Sequence, residues 1–103
     1  MERIARLEAV DADASRQMIE ILKRQRFNDA IPANLPPGTP VAHKTGSITK
    51  IHHDAAIVYG PRPFVLVVLT RGIEDIKASA ALMSRIARVL YQESEAAPDA
   101  PRR

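Results

Sequence analysis

Val41-Ala42-His43-Lys44-Thr45-Gly46-Ser47-Ile48 is the stretch on which the reading of this chain turns. It follows a proline-rich connector and precedes two further apolar runs, which makes it a β-strand. On a strand, successive side chains point to opposite faces. Lys44-Thr45-Gly46 therefore sets an ammonium, a hydroxyl and a residue without a side chain at consecutive points along one ribbon. Taken alone, that is an ordinary strand lysine beside a bulge glycine. The neighbouring segments decide whether it is more.

Downstream, Asp54 to Tyr59 reads as a second strand, with Ala55, Ala56, Ile57 and Val58 as its apolar run, and Gly60-Pro61 turns the chain. Phe64-Val-Leu-Val-Val-Leu69 is a third strand, apolar on both faces, the signature of a strand inside a sheet. Short connections favour antiparallel pairing. A central third strand needs two neighbours, and only one is in sight, so an outside strand is expected beside it. Asp75 opens a long helix, in which Leu82, Met83, Ile86 and Leu90 form the stripe expected to cover the sheet and Arg85 and Arg88 point outward. From Glu93 onward the composition turns to Ala, Pro and charge, and residues 93–103 read as a disordered tail.

Upstream, Pro32, Pro36, Pro37 and Pro40 stiffen a connector from Asn28 to Pro40, which Ile31 and Leu35 anchor. Before it, Met18, Ile19 and Leu22 make an apolar helical stripe through about Arg26, entered at Asp11 and Asp13, whose carboxylates suit free N–H groups at a helix start. Ile4, Leu7 and Val10 fall at helical spacing as well. The order is helix, helix, three antiparallel strands, helix: an α/β fold of the α+β type, with one domain over residues 1–92.

Composition bounds the function. The 103 residues carry no Cys, which excludes disulfides and Cys-based zinc sites. Net charge is +3, and Arg102 and Arg103 supply two of those charges. The basic residues are scattered and not interleaved with aromatics, so nucleic acid is not an expected partner. No apolar run approaches the ~18 residues of a membrane span, and no signal peptide opens the chain. The first residues lead straight into a helix, as expected of a chain that starts in the middle of a larger protein.

The residues Ser15-Arg16-Gln17-Met18-Ile19-Glu20-Ile21-Leu22, Phe27-Asn28-Asp29-Ala30-Ile31-Pro32, Leu35-Pro36-Pro37-Gly38-Thr39-Pro40 and Val41-Ala42-His43-Lys44-Thr45-Gly46 together resemble the C-terminal portion of class A β-lactamase-like serine hydrolases. His53 to Tyr59, Phe64 to Thr70 and Ser79 to Tyr91 resemble that family's next two strands and closing helix. The resemblance implies an α/β sandwich in which the Lys-Thr-Gly strand walls the active site and the last strand pairs with one from near the family's N-terminus. It implies a β-lactam or peptidoglycan-like small molecule as ligand, no cofactor, and a periplasmic or secreted setting. It assigns substrate binding to Lys44, Thr45, Gly46 and Ser47. Lys44 would attract a ligand carboxylate, Thr45 would offer it a hydroxyl, and Gly46 would let the ligand approach. The Ser47 N–H would be one of two oxyanion-hole donors. Lys44 and Ser47 would thus be the catalytic residues contributed here.

Acyl transfer also needs a nucleophile beside a base. The family uses Ser-x-x-Lys at a helix start and Ser-Asp-Asn on a loop. The only Ser-x-x-Lys string is Ser47-Ile48-Thr49-Lys50, on a strand or hairpin, where the two side chains cannot pair as on a helix. No Ser-Asp-Asn occurs. The chain is expected to be inactive alone. In the family reading a missing N-terminal segment or a second copy completes the sheet, and the alternative is a stand-alone interaction module completed by a partner strand or by self-association. His43, His52, His53 and Asp54 do not make a metal site on this reading, because His52 and His53 face opposite ways and too few ligands remain.

Overall fold

Eight-residue strands in a simple meander carry the structure, a computed structural model that describes residues 1–96. In chain order the elements are α1 (Glu2–Ala5), α2 (Ala12–Lys23), a 3₁₀ turn (Ile31–Asn34), β1 (Val41–Ile48), β2 (Ile51–Val58), β3 (Phe64–Arg71) and α3 (Ile76–Ala96). The sheet is antiparallel in the order β1-β2-β3, an α+β arrangement with helices on both faces. Thr45 lies opposite Asp54, and Asp54 opposite Val68. This register puts Val41, His43, Thr45 and Ser47 on one face with His52, Asp54, Ala56 and Val58. Ala42, Lys44 and Gly46 share the other face with His53 and Ile57.

Each face has its own core. On the first, Val41, Ala56 and Val58 pack with Ile31 and Leu35 of the connector and with Met83, Ala87 and Tyr91 of α3. On the second, Ala42 and Ile57 pack under Ile19 of α2, with Ile4 and Leu7 at the margin. Burying a side chain as large as Ile31, Ile57 or Met83 contributes about 1.5–3 kcal/mol each, and these three are fully buried. Tyr59 joins the second core. Burial, and then the Glu20 carboxylate, raise its phenol above the ordinary value, so it stays neutral well into the alkaline range.

Local chemistry explains the boundaries. Asp11 caps α2, its side chain accepting from the Ala14 N–H at 2.7 Å. The helical spacing of Ile4, Leu7 and Val10 does not produce one helix. Ser15, wholly buried, accepts from Ala9 N–H and donates to Ala9 C=O, which pins a reversal between α1 and α2. Leu7 and Val10 take positive φ there. β2 starts at Ile51 rather than Asp54, because Thr49-Lys50 alone makes the hairpin turn and Ile48 pairs Ile51. Lys50 adopts φ 58°, and its ammonium reaches Glu74 at 3.3 Å.

The buried stripe of α3 is Ser79, Met83, Ala87 and Tyr91, at steps of four, with Ser84 beside it. Leu82 and Leu90, expected inward, are exposed. The smaller Ala and Ser side chains let the helix approach the 3₁₀ turn, where Asn34 Nδ2 donates to Ser84 Oγ at 2.8 Å. The helix also runs past Gln92. Glu93 to Ala96 continue it, since no proline intervenes and Ser94 bonds back to the Tyr91 carbonyl. The tail expected from Glu93 therefore does not begin there, and residues 97–103 lie outside the described residues.

β3 pairs with β2 on one side only, and its other edge has no strand beside it among the described residues. Phe64, Leu66 and Val68 turn toward α3, while Val65, Val67 and Leu69 are exposed on the opposite face, Leu69 at 75 %. No described helix is long and apolar enough to cross a membrane.

Gly60 lies in tight contact with α3. A Cβ built there would run into the Tyr91 ring. Gly60→Ala is expected to cost about 1–3 kcal/mol through overpacking, read as a lowered urea midpoint at unchanged slope. Full wild-type stability in that variant would mean that the ring moves aside freely.

Candidate functional site

β1 forms the sheet's other edge, so its outer side is unpaired among the described residues. The hairpin brings Lys44, Thr45, Gly46 and Ser47 to that edge, where all four line a cavity of ≈ 840 Å³. Lys44 is exposed, with Nζ donating to the Thr45 carbonyl at 2.6 Å. Thr45 is half-buried and Ser47 exposed. The cavity continues between the connector and the start of α3, past His52, Ala80 and Ser84.

Gly46 has a structural requirement of its own. The His53 ring lies over it on the same sheet face, where a Cβ would collide with the imidazole. Close approach is thus already used within the chain. Of the one Ser-x-x-Lys string, Ser47 sits in the strand and Lys50 in the turn, paired with Glu74.

Beneath the edge lies a polar network that the sequence reading missed. Asp54, fully buried, accepts from the Ile31 N–H through Oδ2 at 3.1 Å, and its Oδ1 lies 3.0 Å from His43 Nδ1. His43 Nε2 lies 2.8 Å from Asn28 Oδ1, and Asn28 Nδ2 donates to the Gln25 carbonyl at 2.8 Å. One carboxylate thereby fastens the connector to the strand residue just before Lys44. The signal was present: a two-residue turn at Thr49-Lys50 makes His43 and Asp54 diagonal neighbours on one face. A second pair, His52 Nδ1 and Ser79 Oγ at 2.6 Å, ties β2 to α3. His43 and His52 share a face while His53 lies on the other, and no cluster of three His, Cys, Asp or Glu occurs among the described residues.

The profile of the β-lactamase enzyme family matches residues 1–94. This chain belongs to that family. Its fold superposes on PBP-A with a TM-score of 0.83 at 27% identity, covering 92% of this chain and 37% of that one. A class A β-lactamase from Mycobacterium abscessus is similar at 25% identity and TM-score 0.78, over 91% of this chain and 38% of that one. A β-lactamase from Sphaerobacter thermophilus, at 22% identity and TM-score 0.83, shares the fold over 96% of this chain and 39% of its own. No curated protein matches. The chain thus spans less than two fifths of the solved β-lactamase-like chains that it resembles.

Within that family segment, Asp54 is the residue whose loss should be felt most. Asp54→Ala strands the His43 ring and the Ile31 N–H together, and is expected to destabilise by about 3–5 kcal/mol. Asp54→Asn, which keeps an acceptor for Ile31, should lose less. Urea unfolding of the two variants checks the order.

Proposed function

We propose that Lys44, Thr45, Gly46 and Ser47 are the substrate-recognition edge of a β-lactamase-like serine hydrolase site, and that this chain does not hydrolyse β-lactams alone. The observation that carries the reading is the position of Lys-Thr-Gly on an open strand edge facing a cavity. There the Lys44 ammonium and the Thr45 hydroxyl can meet a ligand carboxylate. The Ser47 N–H can donate to an acyl oxygen, as half of an oxyanion hole. The chain offers no serine with a lysine three positions on in a helix, so the nucleophile and its base come from elsewhere in such a site. A related structure, a PBP-A variant, is described as an acyl-enzyme complex with penicillin G. That supports β-lactams as the ligand class.

The full chain should therefore neither turn over a chromogenic cephalosporin nor be labelled covalently by a fluorescent penicillin. Penicillin G should still shift the backbone amides of residues 44–47 saturably in a nitrogen–proton correlation spectrum. Lys44→Ala should weaken that binding about tenfold or more, the scale of one charge-assisted hydrogen bond. A labelled band at this chain's mass, lost on mutating a single serine, would overturn the reading.

The exposed Val65, Val67 and Leu69 beside the open β3 edge favour a second reading, an interaction module completed by another strand. It predicts concentration-dependent association in sedimentation experiments, abolished by Val67→Lys. A monomer at all concentrations would count against self-association.

A further inference from the structure

We propose that His43, Asp54 and Asn28 form a proton-loaded latch. The buried His43 ring is held as an imidazolium between two acceptors, and loss of one proton opens the turn that Asn28 makes with Gln25 beside the cavity. The latch lies behind the recognition edge and does not depend on what that edge binds.

The hydrogen bonds fix the proton count. Asn28 Nδ2 donates to the Gln25 carbonyl at 2.8 Å, and a carbonyl can only accept. The amide is thereby oriented, and the atom 2.8 Å from His43 Nε2 is Asn28 Oδ1, an acceptor as well. Nε2 must therefore carry a proton. On the other side of the ring, Nδ1 lies 3.0 Å from Asp54 Oδ1, while Oδ2 takes the Ile31 N–H. One more proton has to stand between Nδ1 and Oδ1. Without it two lone pairs would face each other in a site where His43 is 1% and Asp54 0% exposed. Ordinary imidazole, at about 6.5, is a stronger base than ordinary aspartate, at about 3.9. The Ile31 N–H also favours the ionised carboxylate. The second proton sits on the ring.

The charged and titratable groups around the ring are otherwise engaged or turned to solvent. On this face β2 adds His52, bonded to Ser79, and α3 turns in Ser79, Met83, Ser84 and Ala87. Arg88 of α3 donates to the Asn34 carbonyl. In the connector, Asp29 lines the cavity, and Arg24 and Arg26 are exposed. Lys44 stands on the opposite face with its ammonium on the Thr45 carbonyl.

Removing one proton breaks this balance at the Asn28 end. Nδ1–H, bonded to a carboxylate, is the proton kept. Nε2 is left bare against Asn28 Oδ1. Asn28 is exposed and can turn its amide to offer Nδ2 to the ring, but Nδ2 then leaves the Gln25 carbonyl. Phe27 and Asp29, on either side of Asn28, line the cavity, so this part of its wall loosens. The Asp54 bond to Ile31 keeps the rest of the connector seated. The sign follows. The folded chain keeps a proton that histidine in the unfolded chain has released above about pH 6.5. The latch's stabilisation is therefore full below that pH and is lost as pH rises through the ring's own transition.

Nitrogen–proton spectra of the full chain across a pH series test this. At about pH 7.5, where an ordinary histidine is mostly neutral, both His43 ring nitrogens should carry protons. At higher pH Nε2 should become bare. The Asn28 side-chain amide and the backbone amides of residues 25–29 should move with the same midpoint, and the Ile31 amide should not. Asn28 is exposed, so its variants spare the core. Asn28→Leu removes the acceptor at Nε2 and should lower the ring's proton affinity about fivefold, whereas Asn28→Asp supplies a carboxylate there and should raise it about tenfold. A bare ring nitrogen at about pH 7.5 in the wild-type chain, a ring transition that leaves residues 25–29 unmoved, or equal affinity in the two Asn28 variants would each overturn the latch. No ligand enters the experiment, so its failure spares the recognition edge, and an edge that binds nothing leaves the latch standing.

Discussion

The Asp54 carboxylate is the constraint on which the candidate site depends. It is buried, and it divides its two oxygens between the connector, at the Ile31 N–H, and β1, at His43. A buried charge is tolerated only when paired and hydrogen-bonded. Satisfying Asp54 therefore forces the 3₁₀ turn to sit at one height against the sheet. Once that height is set, Ile31 and Leu35 fill the first core, Asn34 reaches Ser84, and α3 is seated. Lys44 follows His43 directly, so the edge that lines the cavity inherits its position from a pair that does not itself line it.

The two sides of the hairpin then divide the work. On one face the His53 ring covers Gly46, and Lys44 stands exposed beside it with its ammonium on the Thr45 carbonyl. On the other, Thr45, Ser47 and His52 look toward α3. Both sets reach the same cavity because β1 is an edge strand, around which side chains from either face can turn. A central strand carrying the same residues would keep the two sets a sheet's thickness apart. The strand order is thus as much a part of the site as the residue types.

Much of this could be read from the sequence, and the failures have physical causes. The apolar run from Phe64, the proline connector with its Ile31 and Leu35 anchors, the Asp11 cap and the Lys-Thr-Gly strand all declare themselves locally. The start of β2 did not, because Thr49-Lys50 lacks the Gly or Asn that a positive φ usually selects. The inner stripe of α3 departs from the expected one because the helix turns Ser79, Met83, Ala87 and Tyr91 inward and leaves Leu82 and Leu90 exposed, so two polar or small residues take positions that hydrophobicity alone would give to leucine. The break after α1 rests on one serine reaching back six residues. The Ser79–His52 bond spans 27 positions and becomes visible only when α3 lies on the sheet. Periodicity reports which face of an element is buried, and is silent about which polar atoms will meet there.

The open side of β3 has a kinetic meaning. Its backbone groups, unpaired by any strand among the described residues, and the Val65, Val67 and Leu69 side chains can be covered in two ways. Completion by a strand tethered within the same polypeptide is first order and indifferent to concentration. Capture by a separate molecule is second order and accelerates as the protein accumulates. How densely this chain is made would then decide which of the two competing events its bare edge meets first.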